Sequence, residues 1–160
     1  MNYFILACLV SIFPLTLFNA AARTEQIGSV DTAFKFIGPD HKIVIEVFDD
    51  PRVQGISCYI SRAKTGGFKG AVGVAEDKSE AAVACRQVGE ISFSGTLPKQ
   101  EEIFDERISL VFKKIRVVRV VDPARNTLVY LIYSDRLIEG SPKNNITAVA
   151  VPRSLPIPLK

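Results

Sequence analysis

The sequence predicts an α+β domain in which a mostly antiparallel β-sheet, or a partly closed barrel, packs against one short helix. Short runs of β-branched and alternating apolar residues, separated by Gly, Pro, Asp and Asn, predict the strands. One stretch with apolar residues at helical spacing predicts the helix, and two cysteines outside the N-terminal region predict a covalent link between helix and sheet.

Residues 1–22 contain no charged side chain and include an apolar run followed by three alanines. This pattern is typical of a secretory signal peptide, with cleavage expected before Arg23. We therefore expect a single domain over 23–160, with a loose C-terminal tail and no membrane span after cleavage. An uncleaved anchor, or a lipoprotein attached through Cys8, is the alternative.

The charged residues all lie in 23–160, so this part of the chain keeps the formal net charge of +3. Such mild basicity supports solubility and is too small to predict nucleic-acid binding. The length is enough for one hydrophobic core.

The first strands are predicted at 26–37, 42–48 and 55–61. Gly, Pro, Asp and His at 38–41 predict a hairpin turn, and Pro51 ends the second strand. In the second strand we expect the face with Ile43, Ile45 and Val47 to point to the core. The other face carries Val44, Glu46 and Phe48. In the third strand we expect Ile56, Cys58 and Ile60 to point inward.

The helix is predicted over 77–87. Asp77 and Glu80 form a capping-box pattern, and one side at helical spacing carries Ala81, Ala84, Cys85 and Val88. Those small side chains would let the helix approach the sheet closely enough for a Cys58–Cys85 disulfide. A reactive thiol pair is the alternative, although the wide spacing of the cysteines does not favour it.

Beyond the helix we expect strands at 90–97, 116–121, 127–134 and 146–151. Residues 122–126 predict a turn in which Asn126 takes a left-handed conformation. The 103–115 stretch fits both a strand and a helix, and β-branched and aromatic residues favour the strand.

The Gly-rich basic stretch at 62–70 is the leading candidate for a binding site. Glycine amides beside basic side chains form nests for small anions, although a solvated turn has the same composition. A small anion or a periplasmic protein is the expected partner. The candidate residues are Arg62, Lys64, Gly66, Gly67 and Lys69.

The alternative function is a small hydrolase or another enzyme that uses Asp49 and Asp50 in an acidic turn. No phosphate-loop, nucleophile-elbow or zinc-ligand motif is present, and His41 is the only histidine. We therefore expect no cofactor and no metal, and a function other than catalysis.

Strings along most of 26–151 resemble the CreA family. They include IGSVDT, IGPDHKIV, SRAKTGG, CRQVG, SLVFK and EGSPKN, at 27–32, 37–44, 61–67, 85–89, 109–113 and 139–144. The resemblance implies an exported periplasmic protein of Gram-negative bacteria, and it carries over no catalytic residue. This sequence departs from the family pattern in a signal region without Lys or Arg and in a Pro-rich tail.

The predicted cleavage gives the first test. Mass spectrometry of the protein from a periplasmic extract should place the N-terminus at Arg23, within a residue or two. Recovery of the full-length chain in the membrane fraction would contradict export with cleavage.

Overall fold

The computed structural model describes residues 23–33, 40–65, 81–107, 114–135 and 142–160. Their elements are all β-strands, which form two four-stranded antiparallel sheets. The first sheet has the order β1-β2-β3-β4 and the second β5-β6-β7-β8. The strands are β1 (Glu25–Ala33), β2 (His41–Asp49), β3 (Val53–Lys64), β4 (Ala81–Phe93), β5 (Gln100–Arg107), β6 (Lys114–Asp122), β7 (Thr127–Ser134) and β8 (Asn144–Ala150).

The predicted α+β class is therefore wrong, because the residues expected to form most of the helix belong to β4. Ala81, Val83 and Cys85 alternate with more exposed residues at a period of two, and β4 pairs along its length with β3. Alanine favours a helix by intrinsic propensity, but pairing with β3 overrides that preference here. Residues 77–80, which carry the capping pattern, lie outside the described residues.

The expected inward face of β2 is also wrong. Val44, Glu46 and Phe48 are buried, whereas Ile43 is 41% exposed. The alternation with a period of two is confirmed, but the buried face is the one that carries Glu46. Glu46 has charged partners inside the protein, described below.

Other expectations are confirmed. Ile56, Cys58 and Ile60 are buried, and β6 and β7 form the expected hairpin. Asn126 has φ 51°, which is the left-handed conformation that Asn tolerates best among residues with a side chain. Residues 103–107 are strand, and 108–113 lie outside the described residues.

The two sheets share one hydrophobic core, to which strands of both contribute buried side chains. Phe48 of β2 stacks on Phe104 of β5, with ring centroids 4.7 Å apart. At one side β4 lies beside β8, where the Val83 amide donates to Asn145 Oδ1 at 3.4 Å. The arrangement is a β-sandwich with charged side chains between the sheets at both ends of the core.

The strand pairing defines these two ends. The β1–β2, β3–β4, β5–β6 and β7–β8 pairs are each joined at the end that contains Arg62, called here the Arg62 end. The β2–β3 and β6–β7 pairs are joined at the opposite end, which contains Asp50 and is called the Asp50 end.

The tail that the sequence predicts to be loose lies against the core. Ile157 is buried, and Leu97 pairs with Leu159 in an isolated parallel bridge. The Asn126 amide nitrogen donates to the carbonyl oxygens of 151, 152 and 155, and its oxygen accepts from the Ile157 amide at 3.0 Å. One side chain in the β6–β7 turn thus satisfies backbone groups along an otherwise irregular segment.

The Cys58–Cys85 disulfide is present, although it links two strands and not a helix to a sheet. The cysteines are direct partners in the β3–β4 register, and their Cα atoms are 3.9 Å apart. Both residues are fully buried among the aliphatic side chains of the core.

Reduction of this disulfide should lower the melting temperature by about 10 °C, because the link closes a long loop in the unfolded chain and contributes about 2–4 kcal/mol. The measurement compares oxidised protein with fully reduced protein whose two thiols have been titrated after denaturation. An unchanged melting temperature after complete reduction would contradict a stabilising role.

Candidate functional site

A buried cluster of charges joins the two sheets at the Arg62 end. Arg62 of β3 donates from Nε and Nη2 to the two carboxylate oxygens of Glu46 on β2, at 2.8 and 2.9 Å. Its Nη2 also donates to Glu106 of β5, in the other sheet, at 2.7 Å. Arg62 and Glu46 are both buried, and Glu106 is partly exposed.

The electrostatics keep this cluster ionised. Burial raises the pKa of Glu46, but the hydrogen bonds and positive charges of Arg62 and Lys64 outweigh burial and leave that pKa below its ordinary value. Burial lowers the pKa of Arg62, and the bonds to Glu46 and Glu106 outweigh it, so the net shift is upward. Arg62 is thus a structural cation with its charge already matched.

Two lysines lie at the outer edge of this cluster. Lys64 Nζ is 3.2 Å from Glu46 Oε1, and its side chain is 36% exposed. Lys42 is its direct partner in the β2–β3 register, and both continue the inward faces of their strands. Within the described part of the chain, Lys42 makes no ion pair. We call Lys42 and Lys64 the lysine mouth.

The structure brings together only part of the predicted anion site. Arg62 and Lys64 are neighbours, but Arg62 is committed to two carboxylates. Gly66, Gly67 and Lys69 lie outside the described residues, so the nest of glycine amides stays a prediction.

A second charged cluster lies at the Asp50 end. Asp50 Oδ1 accepts from the amides of Arg52 and Val53, at 2.9 and 3.1 Å, and from Arg119 Nη1 at 2.5 Å. Its Oδ2 accepts from the Tyr130 hydroxyl at 3.0 Å. Burial, together with the charge of Asp50, raises the pKa of Tyr130 well above its ordinary value, so Tyr130 stays a neutral donor.

Arg119 is completely buried and extends this cluster. Its Nη2 donates to Glu101, which also pairs with Arg52 Nε at 3.1 Å. Its Nε is buried and has no hydrogen-bond partner among the described residues. Each end of the core thus holds one buried arginine that bonds carboxylates from both sheets.

Asp49 and Asp50 do not form a joint site. Asp49 is exposed on the outer face of the first sheet, where its Oδ1 accepts from Ser57 Oγ at 2.6 Å. Asp50 turns into the core beneath the β2–β3 turn. The two carboxylates therefore belong to different surroundings.

Sequence reasoning missed Lys42, Glu106 and the partners of Asp50. Lys42 becomes a neighbour of Lys64 only through the β2–β3 register, and Glu106 meets Arg62 only because the sheets pack face to face. One signal was available: Glu46, Arg62 and Arg119 each stand at an inward position of an alternating strand, which indicates buried ion pairing.

Within the described ranges, no group of three or more His, Cys, Asp or Glu side chains is placed to hold a metal ion. The same part of the chain contains no helix of the length and apolar character needed to cross a membrane.

The family model and the similar proteins that match this chain all indicate the same family. The model of the family described as "CreA protein" matches residues 27–154. Protein CreA of Escherichia coli strain K12 is 54% identical over 147 residues, covering 89% of this chain and 94% of the relative. The proteins of the same name from Escherichia coli O6:H1 and O157:H7 match with the same identity and coverage. No solved structure gives a significant match.

The lowered pKa of Glu46 predicts how stability responds to acid. A carboxyl group with a depressed folded-state pKa stabilises fully above its ordinary pKa and loses this contribution as pH falls through the folded value. Glu46→Gln should therefore lower stability at pH 7 by about 3 kcal/mol, since it breaks a buried pair. The difference between variant and wild type should shrink as pH falls below about 4.5.

Urea unfolding at pH 7, 5 and 3 measures this difference. Glu25→Gln is the control, because Glu25 is exposed on β1 and should cost little at any pH. A Glu46→Gln penalty that stayed constant from pH 7 to pH 3 would contradict an ionised Glu46.

Proposed function

The chain belongs to the CreA family, and from that premise we propose that it is an exported periplasmic protein that binds an anionic ligand at the lysine mouth and is not an enzyme. The buried disulfide supports export, because such bonds persist in oxidising compartments. The charge-free apolar run over 1–22 supports it independently.

The observation that carries the proposal is the register that sets Lys42 opposite Lys64. Like charges directly opposite each other on neighbouring strands destabilise a sheet. On its other side Lys42 has Asp31 of β1 as its direct register partner, but the described residues form no ion pair between the two. Both oxygens of Glu46 already accept hydrogen bonds from Arg62. A bound anion between the two ammonium groups would relieve their repulsion.

The ion pairs at the Arg62 end agree with this. Arg62 pairs with Glu46 and Glu106, and Lys64 pairs with Glu46, whereas Lys42 makes no ion pair among the described residues, although Asp31 of β1 is its other register partner. Arg62 supplies the rigid base of the site because it is held by both sheets, and the lysines supply the accessible charge. The predicted nest at Gly66, Gly67 and Lys69 follows Lys64 directly in the chain and belongs to the same proposal.

The enzymatic alternative is less well supported by the geometry. Asp50 accepts four hydrogen bonds from protein groups, which occupies its carboxylate and removes it from contact with a substrate. Asp49 accepts from Ser57 on the outer face of the first sheet, whereas Asp50 points into the core, so the two carboxylates are not placed to divide acid and base roles. The buried charges have structural partners, which favours a binding protein.

The test is thermal unfolding in phosphate, sulfate and chloride at equal ionic strength. A ligand that binds only the folded state raises the melting temperature by mass action, so phosphate or sulfate should stabilise more than chloride. The Lys42→Ala/Lys64→Ala variant should lose this difference.

The matched control is Lys99→Ala/Lys160→Ala, which removes the same charge from exposed positions remote from the mouth. It should keep the full difference between phosphate and chloride. An equal response in both double variants would reject anion binding at the lysine mouth.

A further inference from the structure

A large bulge interrupts β4 near the Asp50 end. Ile56 pairs with Gln87 and Gln54 with Ser92, so the four residues 88–91 of β4 face Gly55 alone. Because an ordinary bulge adds a single residue, the three extra residues here displace the strand outward. Ile91 returns to the core, whereas 86–90 are exposed.

The bulge rests directly on Gly55. Gly55 has φ +79°, and a Cβ there would lie 2.3 Å from the Glu90 carbonyl oxygen and 2.9 Å from that of Gly89. Only glycine fits both the conformation and this contact. Gln87 Nε2 also donates to the Gly89 oxygen at 2.9 Å, and the disulfide fixes Cys85 immediately before the bulge. The segment is therefore held in one conformation.

The exposed side chains of the bulge place an apolar residue between one positive and one negative charge. Val88 is 58% exposed at the centre, with Arg86 on one side and Glu90 on the other. Across the described ranges, neither Arg86 nor Glu90 makes a salt bridge, although most other arginines there do. The Arg86 guanidinium bonds only the Cys85 carbonyl next to it, at 2.9 Å.

We propose that the bulge at 86–90 is a self-association surface that binds the same bulge of a second copy of this chain about a two-fold axis through Val88. In such a pair each Arg86 faces Glu90 of the second copy, and the two Val88 side chains meet at the axis. The order of positive, apolar and negative groups is self-complementary under two-fold symmetry, as an isologous contact requires.

This contact is small and therefore weak. Two five-residue segments bury much less than the roughly 1,200 Å² of a standard stable interface, so the dimer is a transient one. The bulge lies toward the Asp50 end, and the lysine mouth lies at the Arg62 end, so dimerisation leaves the mouth open. The inference is thus independent of the proposed function.

Charge reversal gives a sharp test by sedimentation velocity over about 10 μM to 1 mM protein at low salt, where ion pairs act most strongly. The average molecular mass of the wild-type protein should rise with protein concentration. R86E alone and E90R alone should each stay monomeric, because a dimer of either variant would bring four charges of the same sign together. An equimolar mixture of R86E and E90R should dimerise, since every charge then faces its opposite.

Val88→Asp should weaken wild-type association at least about tenfold, because it places two carboxylates at the axis. The exposed Arg125→Glu is the matched control for charge reversal, and it should leave association unchanged. Wild-type protein that stays monomeric throughout, or single variants that dimerise as wild type does, would overturn the proposal. So would a mixture of R86E and E90R that fails to associate while both variants keep their folded melting transitions.

Discussion

The carboxylate of Asp50 is the point on which the two sheets depend. It accepts two backbone amides of the β2–β3 turn, the Arg119 guanidinium and the Tyr130 hydroxyl, and its side chain is fully buried. A buried charge is tolerated only when such donors replace water. The two amide bonds hold the turn, and the turn sets the β2–β3 register. That register places Cys58 opposite Phe48 and Lys64 opposite Lys42.

The Arg62 cluster repeats this solution at the other end of the core. Arg62 bonds Glu46 in its own sheet and Glu106 in the other, as Arg119 bonds Asp50 and Glu101. Buried ion pairs contribute little net stability compared with apolar side chains of similar size, but one missing partner costs several kcal/mol. Sliding one sheet along the other would break both clusters. The apolar core between them, with Phe48 on Phe104, supplies the stability, and the charges select one alignment.

The sequence predicts features that depend on neighbouring residues better than those that depend on tertiary contacts. The β6–β7 hairpin, with Asn126 in its turn, was predictable from local chemistry. The Cys58–Cys85 pairing was predictable because these are the two cysteines that follow residues 1–22. The helix was wrong because the small residues from Ala81 to Cys85 fit either period, and only pairing with β3 decides. The β2 face was wrong because Glu46 is buried by a partner 16 positions along the chain. Predicting that Lys42 and Lys64 are neighbours requires the β2–β3 register, which composition does not reveal.

Strand β3 connects the features that bear on function. Gly55 near its start supports the β4 bulge, Cys58 holds the disulfide, and Lys64 at its end forms the lysine mouth with Lys42 of β2. From Gly55 to Lys64 an extended strand covers roughly 30 Å. Two ligands at that separation do not touch, and the disulfide between them keeps β3 and β4 paired. A second copy bound at the bulge and an anion bound at the mouth would therefore lie near opposite ends of β3 and would not compete.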